Sequence, residues 1–182
     1  MQSLFPSLLI LVFALWSAPL AAQEKAKTAE RYKVFDTYDE LDAHLGKYAG
    51  QTLVVNFWAT YCPPCVKEVP YFNELQEKYQ SQNLKVVMVN LDFKSQLKVR
   101  LDKFLDDHSL NLEIVVLADQ DADAWVPRVV ADWDGGLPFT MILQKGNIKD
   151  THRAEFENFD DLEKFVKPFL GPKPVVVAKR RR

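Results

Sequence analysis

Cysteine and histidine are scarce in this 182-residue chain, with two of the first and three of the second. A structural zinc site takes four such ligands, and His44, His108 and His152 are scattered widely, so each reads as a surface or helix residue and no metal is expected. An excess of one charge is missing too. The 23 Lys and Arg against 25 Asp and Glu leave a formal net charge of -2, which produces no field to gather nucleic acid or an anionic membrane surface. There is no internal repeat and no acid–base motif of the hydrolase kind. Apolar runs of membrane-spanning length, about 20 residues, are also lacking.

The first segment, Met1 to Ala22, carries no charged side chain, and its run from Leu8 to Trp16 has the length of a signal-peptide apolar region. Only the α-amino group supplies positive charge ahead of it. Small residues follow at Ala18, Ala21 and Ala22 before the chain turns polar at Gln23, so cleavage is expected near Ala22. No cysteine stands there to take a lipid. The reading is an exported protein, periplasmic or secreted, with no stable membrane insertion after cleavage.

The rest is long enough, at 48% hydrophobic overall, for one well-buried core but not for two ordinary domains. The expected organisation is a signal peptide over 1–22, a polar linker over 23–35, one domain over 36–170 and a flexible basic tail over 171–182. Asp39 is read as the cap of a short helix bearing Leu41 and Leu45. Thr52 to Trp58 is a continuous apolar run, the mark of a strand buried on both faces. Val66, Val69, Phe72 and Leu75 place a core-facing helix over 65–79, with Pro70 expected to kink it. Further expectations are a strand over 85–91, a helix over 94–108, a strand over 113–117 and a short helix over 122–130. A strand over 139–143 then turns at Lys145-Gly146-Asn147 into a hairpin partner over 148–153, and a last helix spans 159–170. Strands alternating with helices, then a hairpin, imply a mixed sheet covered on both sides. Trp125 and Trp133 read as core.

The two cysteines, Cys62 and Cys65, stand where the buried strand gives way to a helix. A bridge between them closes a very small loop and so stabilises little, which makes a reactive dithiol the better reading. At a helix N-terminus, unsatisfied N–H groups and the dipole lower a thiol pKa. Cys62 is thus the attacking sulfur, and Cys65, one turn further in, the resolving one.

The segment Asn56-Phe57-Trp58-Ala59-Thr60-Tyr61-Cys62-Pro63-Pro64-Cys65-Val66-Lys67-Glu68-Val69-Pro70 resembles the active-site segment of the TlpA/ResA-like branch of the thioredoxin superfamily. Its members are exported or membrane-tethered bacterial disulfide reductases, several of which serve cytochrome c maturation. The resemblance covers about residues 36–170. It implies a thioredoxin-like three-layer α/β/α sandwich, with a strand and helix inserted between the active-site helix and the cis-proline hairpin. It also implies that Leu137-Pro138 forms the cis-proline loop that receives substrate backbone, and that Glu68 helps deprotonate the buried sulfur. Asn56 takes the place of a buried Asp found in cytoplasmic thioredoxins. Trp58, Tyr61, Pro63 and Pro64 would surround the sulfurs, with ordinary core packing the alternative for Trp58 and Tyr61.

The expected function is a disulfide reductase whose only redox group is the Cys62–Cys65 pair, with no separate cofactor. Its partners would be a protein thiol or disulfide client and an upstream thiol electron donor, a membrane-embedded one among the candidates. A disulfide oxidase or isomerase, and a noncatalytic binding or metallochaperone module on the same fold, are the alternatives.

Overall fold

The structure is a computed structural model that describes residues 31–172. The expected leader and its cleavage site, the first part of the expected linker, and the tail from residue 173 lie outside the described residues. Six strands form one sheet: β1 Lys33–Phe35, β2 Thr52–Trp58, β3 Leu84–Asn90, β4 Glu113–Leu117, β5 Phe139–Gln144 and β6 Asn147–His152. Their order is β1-β4-β3-β2-β5-β6, parallel from β1 to β2 and antiparallel at β5 and β6. The helices are α1 Tyr38–Leu45, α2 Pro63–Tyr79, α3 Leu101–Asp107, α4 Ala122–Val129 and α5 Phe159–Val166.

β2 is central and every residue of it is buried. Successive side chains of a strand point to opposite faces, and β2 feeds two cores accordingly. Val54 and Trp58 join Val69, Phe72 and Leu75 of α2, Phe104 of α3 and Leu162 of α5 on one face. Leu53, Val55 and Phe57 join Leu41 of α1 and Trp125 and Val129 of α4 on the other. The mixed sheet covered on both sides, and β3, β4 and α4 between the active-site helix and the hairpin, are as expected. Lys145 and Gly146 form a two-residue turn, both at positive φ (53° and 73°), the conformation that best matches strand twist.

Five elements differ from the sequence expectation. β1 lies inside the stretch read as linker, and the compact unit starts at Tyr32 rather than 36. A three-residue edge strand offers Val34 to one core and Phe35 to the other, too few positions to show a period. Thr37, not Asp39, caps α1: its side chain accepts from Glu40 N–H, and the Glu40 carboxylate accepts from Thr37 N–H. Asp39 sits within the first turn and pairs with Arg128. The stretch 94–108 is not one helix but a 3-10 turn, Lys94–Gln96, followed by α3. Leu97 and Leu101 are both buried while Val99 between them is exposed, so the apolar spacing alone did not reveal the break. The last helix ends at Val166 and tightens into a 3-10 turn at Pro168. α2 runs unbroken through Pro70, which lies on its exposed side.

The capping box gives a stability prediction. Thr37→Ala should cost about 1 kcal/mol, seen as a lower urea midpoint with an unchanged slope. An unchanged midpoint would mean that the cap contributes nothing to the fold.

Candidate active site

β2 runs out at Trp58 into the short loop 59–61, and α2 starts at Pro63. Cys62 is the N-cap, with extended backbone (φ -103°, ψ 98°); its N–H donates to the Ala59 carbonyl at 3.1 Å. Its sulfur accepts from the Cys65 N–H at 3.4 Å and is joined to the Cys65 sulfur in a disulfide. Pro63 and Pro64 occupy the first two helical positions, where a missing N–H breaks no helical bond. Pro63 is exposed and Pro64 half-buried. Cys62 is 8% exposed and Cys65 0%, so only the first sulfur can meet a partner.

Two other chain segments reach this end of the sheet. Phe139 of β5 pairs with Phe57 of β2, which brings Pro138 beside the point where β2 leaves the sheet. The Leu137–Pro138 peptide bond is cis, as the resemblance implied. Pro138 is buried, and Leu137 is half-buried against both cores. Beyond β3, Leu91 N–H donates to the Trp58 carbonyl at 2.8 Å, and Asp92 accepts from both Thr60 N–H (2.9 Å) and Thr60 O–H (2.7 Å). A groove of about 610 Å³ opens here, bounded by Tyr61, Phe93, Asp119, Trp125, Trp133 and Leu137. Tyr61 stands at its edge, 50% exposed. Desolvation, with the charge of Asp92 behind it, pushes its phenol above the usual range.

Tyr61, Pro63 and Pro64 flank Cys62 along the chain, and the β2–β5 register puts Leu137 and Pro138 at the same end of the sheet. Trp58 is the correction. It is 0% exposed, its ring centroid 5.1 Å from that of Phe104, and so cannot touch a substrate; it belongs to the buried cluster that backs both cysteines. Trp125 and Trp133 are core, as read, though both also bound the groove.

Glu68 is fully buried, three residues past Cys65 on the same helix. The spacing i, i+3 puts both on one face of α2. One carboxylate oxygen accepts from Asn56 Nδ2 at 2.9 Å and the other from Phe156 N–H at 3.0 Å. Asn56 Nδ2 also donates to Thr140 Oγ1 at 3.0 Å. Desolvation pushes the Glu68 carboxyl up to about 7; the bonds from Phe156 and Asn56 oppose this, and the charge of Glu155 adds to it. A buried group poised near neutrality beside a dithiol is suited to move a proton. Asp92, Thr60, Thr140 and the Phe156 N–H were not singled out from sequence. Asp92 had a signal: a polar pair, Asn90 and Asp92, at the end of a buried strand that must finish beside the cysteine loop.

Comparison with known proteins agrees with this geometry. The thiol-disulfide oxidoreductase ResA of Geobacillus thermodenitrificans is 35% identical over 107 residues, 58% of this chain and 56% of that protein. The chain therefore spans about half the length of that relative. ResA of Bacillus thuringiensis is 27% identical over 137 residues, 73% of each chain. Among solved structures, a Chlorobium tepidum protein assigned as thiol:disulfide interchange protein DsbE is 27% identical with a TM-score of 0.55, covering 68% of this chain and 83% of that one. StoA from Bacillus subtilis gives 25% identity and a TM-score of 0.50, covering 64% and 83%. The family model named Redoxin matches residues 21–166, a span that holds the dithiol, the cis-proline loop and all six strands. The chain belongs to the Redoxin family, and its fold is thioredoxin-like.

Proposed function

We propose that this protein is an exported thiol-disulfide oxidoreductase working as a disulfide reductase, with Cys62 attacking and Cys65 resolving. The observation that carries the reading is the asymmetry of the pair: Cys62 reaches the surface at a helix N-cap, while Cys65 is sealed one turn in. The Cys62 thiolate attacks one sulfur of a client disulfide; the other leaves as a thiolate and takes a proton. Cys65 then gives its proton to Glu68 and attacks the Cys62 sulfur, and the second client sulfur departs. Two electrons have passed to the client, and an upstream dithiol donor restores the Cys62–Cys65 pair. Client backbone lies along Leu137-Pro138, with Tyr61 and Leu137 as its apolar contacts.

The direction rests on counting donors. An N-cap group ordinarily accepts from the N–H groups two and three residues on; Pro64 has none, and Cys65 supplies the one bond seen. A thiolate held by fewer donors makes the reduced form less favourable and the pair a better reductant. Export is supported by the apolar leader. No helix among the described residues is long and apolar enough to cross a membrane.

Two measurements test this. The purified chain should reduce insulin disulfides with dithiothreitol as donor, and Cys62→Ser should not; wild-type turnover no better than dithiothreitol alone would leave a noncatalytic binding module. Protein recovered from an exporting host should show, by intact mass, a start near Gln23. A full-length, membrane-sedimenting product would overturn cleavage.

A further inference from the structure

The catalytic scheme uses Glu68 and leaves a second buried carboxyl, Asp92, without a role. Asp92 is 1% exposed. It follows β3 where that segment still runs beside the end of β2, through the bond from Leu91 N–H to the Trp58 carbonyl. Its own N–H donates to Asn90 Oδ1 at 3.0 Å, which fixes the backbone of the short link. Both carboxyl oxygens act as acceptors, one from Thr60 N–H and one from Thr60 O–H, the pattern of an ionised group. No ion pair to Asp92 occurs among the described residues; Lys94, the one cation bounding the groove, is engaged by Asp36 at 2.6 Å. The other charged groups around the groove, Asp119, Asp123 and Asp134, are acidic too. The other fully buried carboxyl among the described residues is Glu68.

Building on the reductase reading, we propose that Asp92 is a positioning residue that pins the loop before Cys62 and, through its uncompensated negative charge, keeps the Cys62 thiolate unfavourable, holding the pair reducing. Cys62 is two steps along the chain from Thr60, with Tyr61 between, a backbone reach of at most about 7 Å. A unit charge about 10 Å away, at an effective dielectric of about 20, shifts an ionisation about tenfold. Tyr61, the residue between Thr60 and Cys62, has its phenol pushed up by desolvation first and by the charge of Asp92 second. The effect adds to the missing Pro64 donor: one removes stabilisation of the thiolate and the other opposes it.

Asp92→Asn separates charge from position. The amide oxygen still accepts from Thr60 N–H, and the amide nitrogen donates to the rotated Thr60 hydroxyl. The experiment follows thiolate absorbance against pH and titrates the redox state against glutathione, for wild type, Asp92→Asn and Thr60→Val. In Asp92→Asn the Cys62 thiol pKa should fall by about one. The equilibrium should move toward the reduced protein, by up to tenfold (about 30 mV) above the wild-type thiol pKa and by less below it. Thr60→Val, which loosens the loop but keeps the charge, should slow exchange several-fold and leave the titration unmoved. Asp92→Ser serves as the charge-free variant if the amide does not fold. An unchanged or raised pKa in the charge-free variant would overturn the proposal, as would an equal shift in Thr60→Val. The reductase reading is judged separately, on the wild-type potential alone, whereas this proposal is judged on the difference between chains.

Discussion

Cys65→Ser is expected to abolish turnover, by on the order of a thousandfold or more, while leaving the first chemical step intact. Cys62 is the sulfur that reaches the surface, so it still attacks a client disulfide. The mixed disulfide then has no internal thiolate to release it and accumulates. Under nonreducing conditions the variant should therefore carry covalent protein adducts through Cys62, absent from Cys62→Ser and from the double variant. Mass spectrometry of those adducts would name the clients directly. Adducts formed equally well by Cys62→Ser would reverse the assignment of the two sulfurs.

Glu68 gives the second large effect, and it is visible in stability as well as rate. Its carboxyl binds a proton more tightly folded, near 7, than at its ordinary 4.5. The stability tied to that proton is fully present below about pH 4.5 and is lost as pH rises through 7. The difference amounts to about 3 kcal/mol, with the opposing bonds from Asn56 and Phe156 already included in the value near 7. Urea denaturation of the disulfide form at pH 5 and pH 8 should show this slope in wild type and lose it in Glu68→Gln. The variant gives up one acceptor, since the amide nitrogen cannot serve both donors. If Glu68 takes the Cys65 proton, the resolving step in wild type should speed up through pH 7, and Glu68→Gln should slow it about a hundredfold. Identical slopes and rates in the two chains would remove Glu68 from the mechanism.

Much of the site was legible because it sits on the strongest local signals. The apolar run over 52–58 could only be a doubly buried strand, and a dithiol at its end, ahead of a helix with apolar spacing, fixes which sulfur is outward. Pro63 and Pro64 stand at helix positions one and two, which leaves the Cys65 N–H as the backbone donor to the Cys62 sulfur. What stayed hidden depends on tertiary approach. Asp92 acts through Thr60, 32 residues away in sequence, and Phe156 reaches Glu68 across 88; neither pairing leaves a periodic trace. Trp58 stands in the motif beside the cysteines, where substrate contact and core packing are equally open, and strand alternation decides for the core by turning it inward with Val54. β1 escaped because three residues cannot display a period, and its pairing with β4 is what makes it a strand.

Whether this dithiol gives electrons or takes them is decided by a glutathione redox titration of the purified wild-type domain. With one thiolate donor missing at Pro64, and an acidic carboxyl close to the loop, the potential should lie near thioredoxin's, about −270 mV. The Cys62 thiol should titrate below about 8.5 but well above 3.5. A potential close to about −120 mV, as in the strong oxidant DsbA, together with a strongly acidic Cys62, would contradict the reductase assignment.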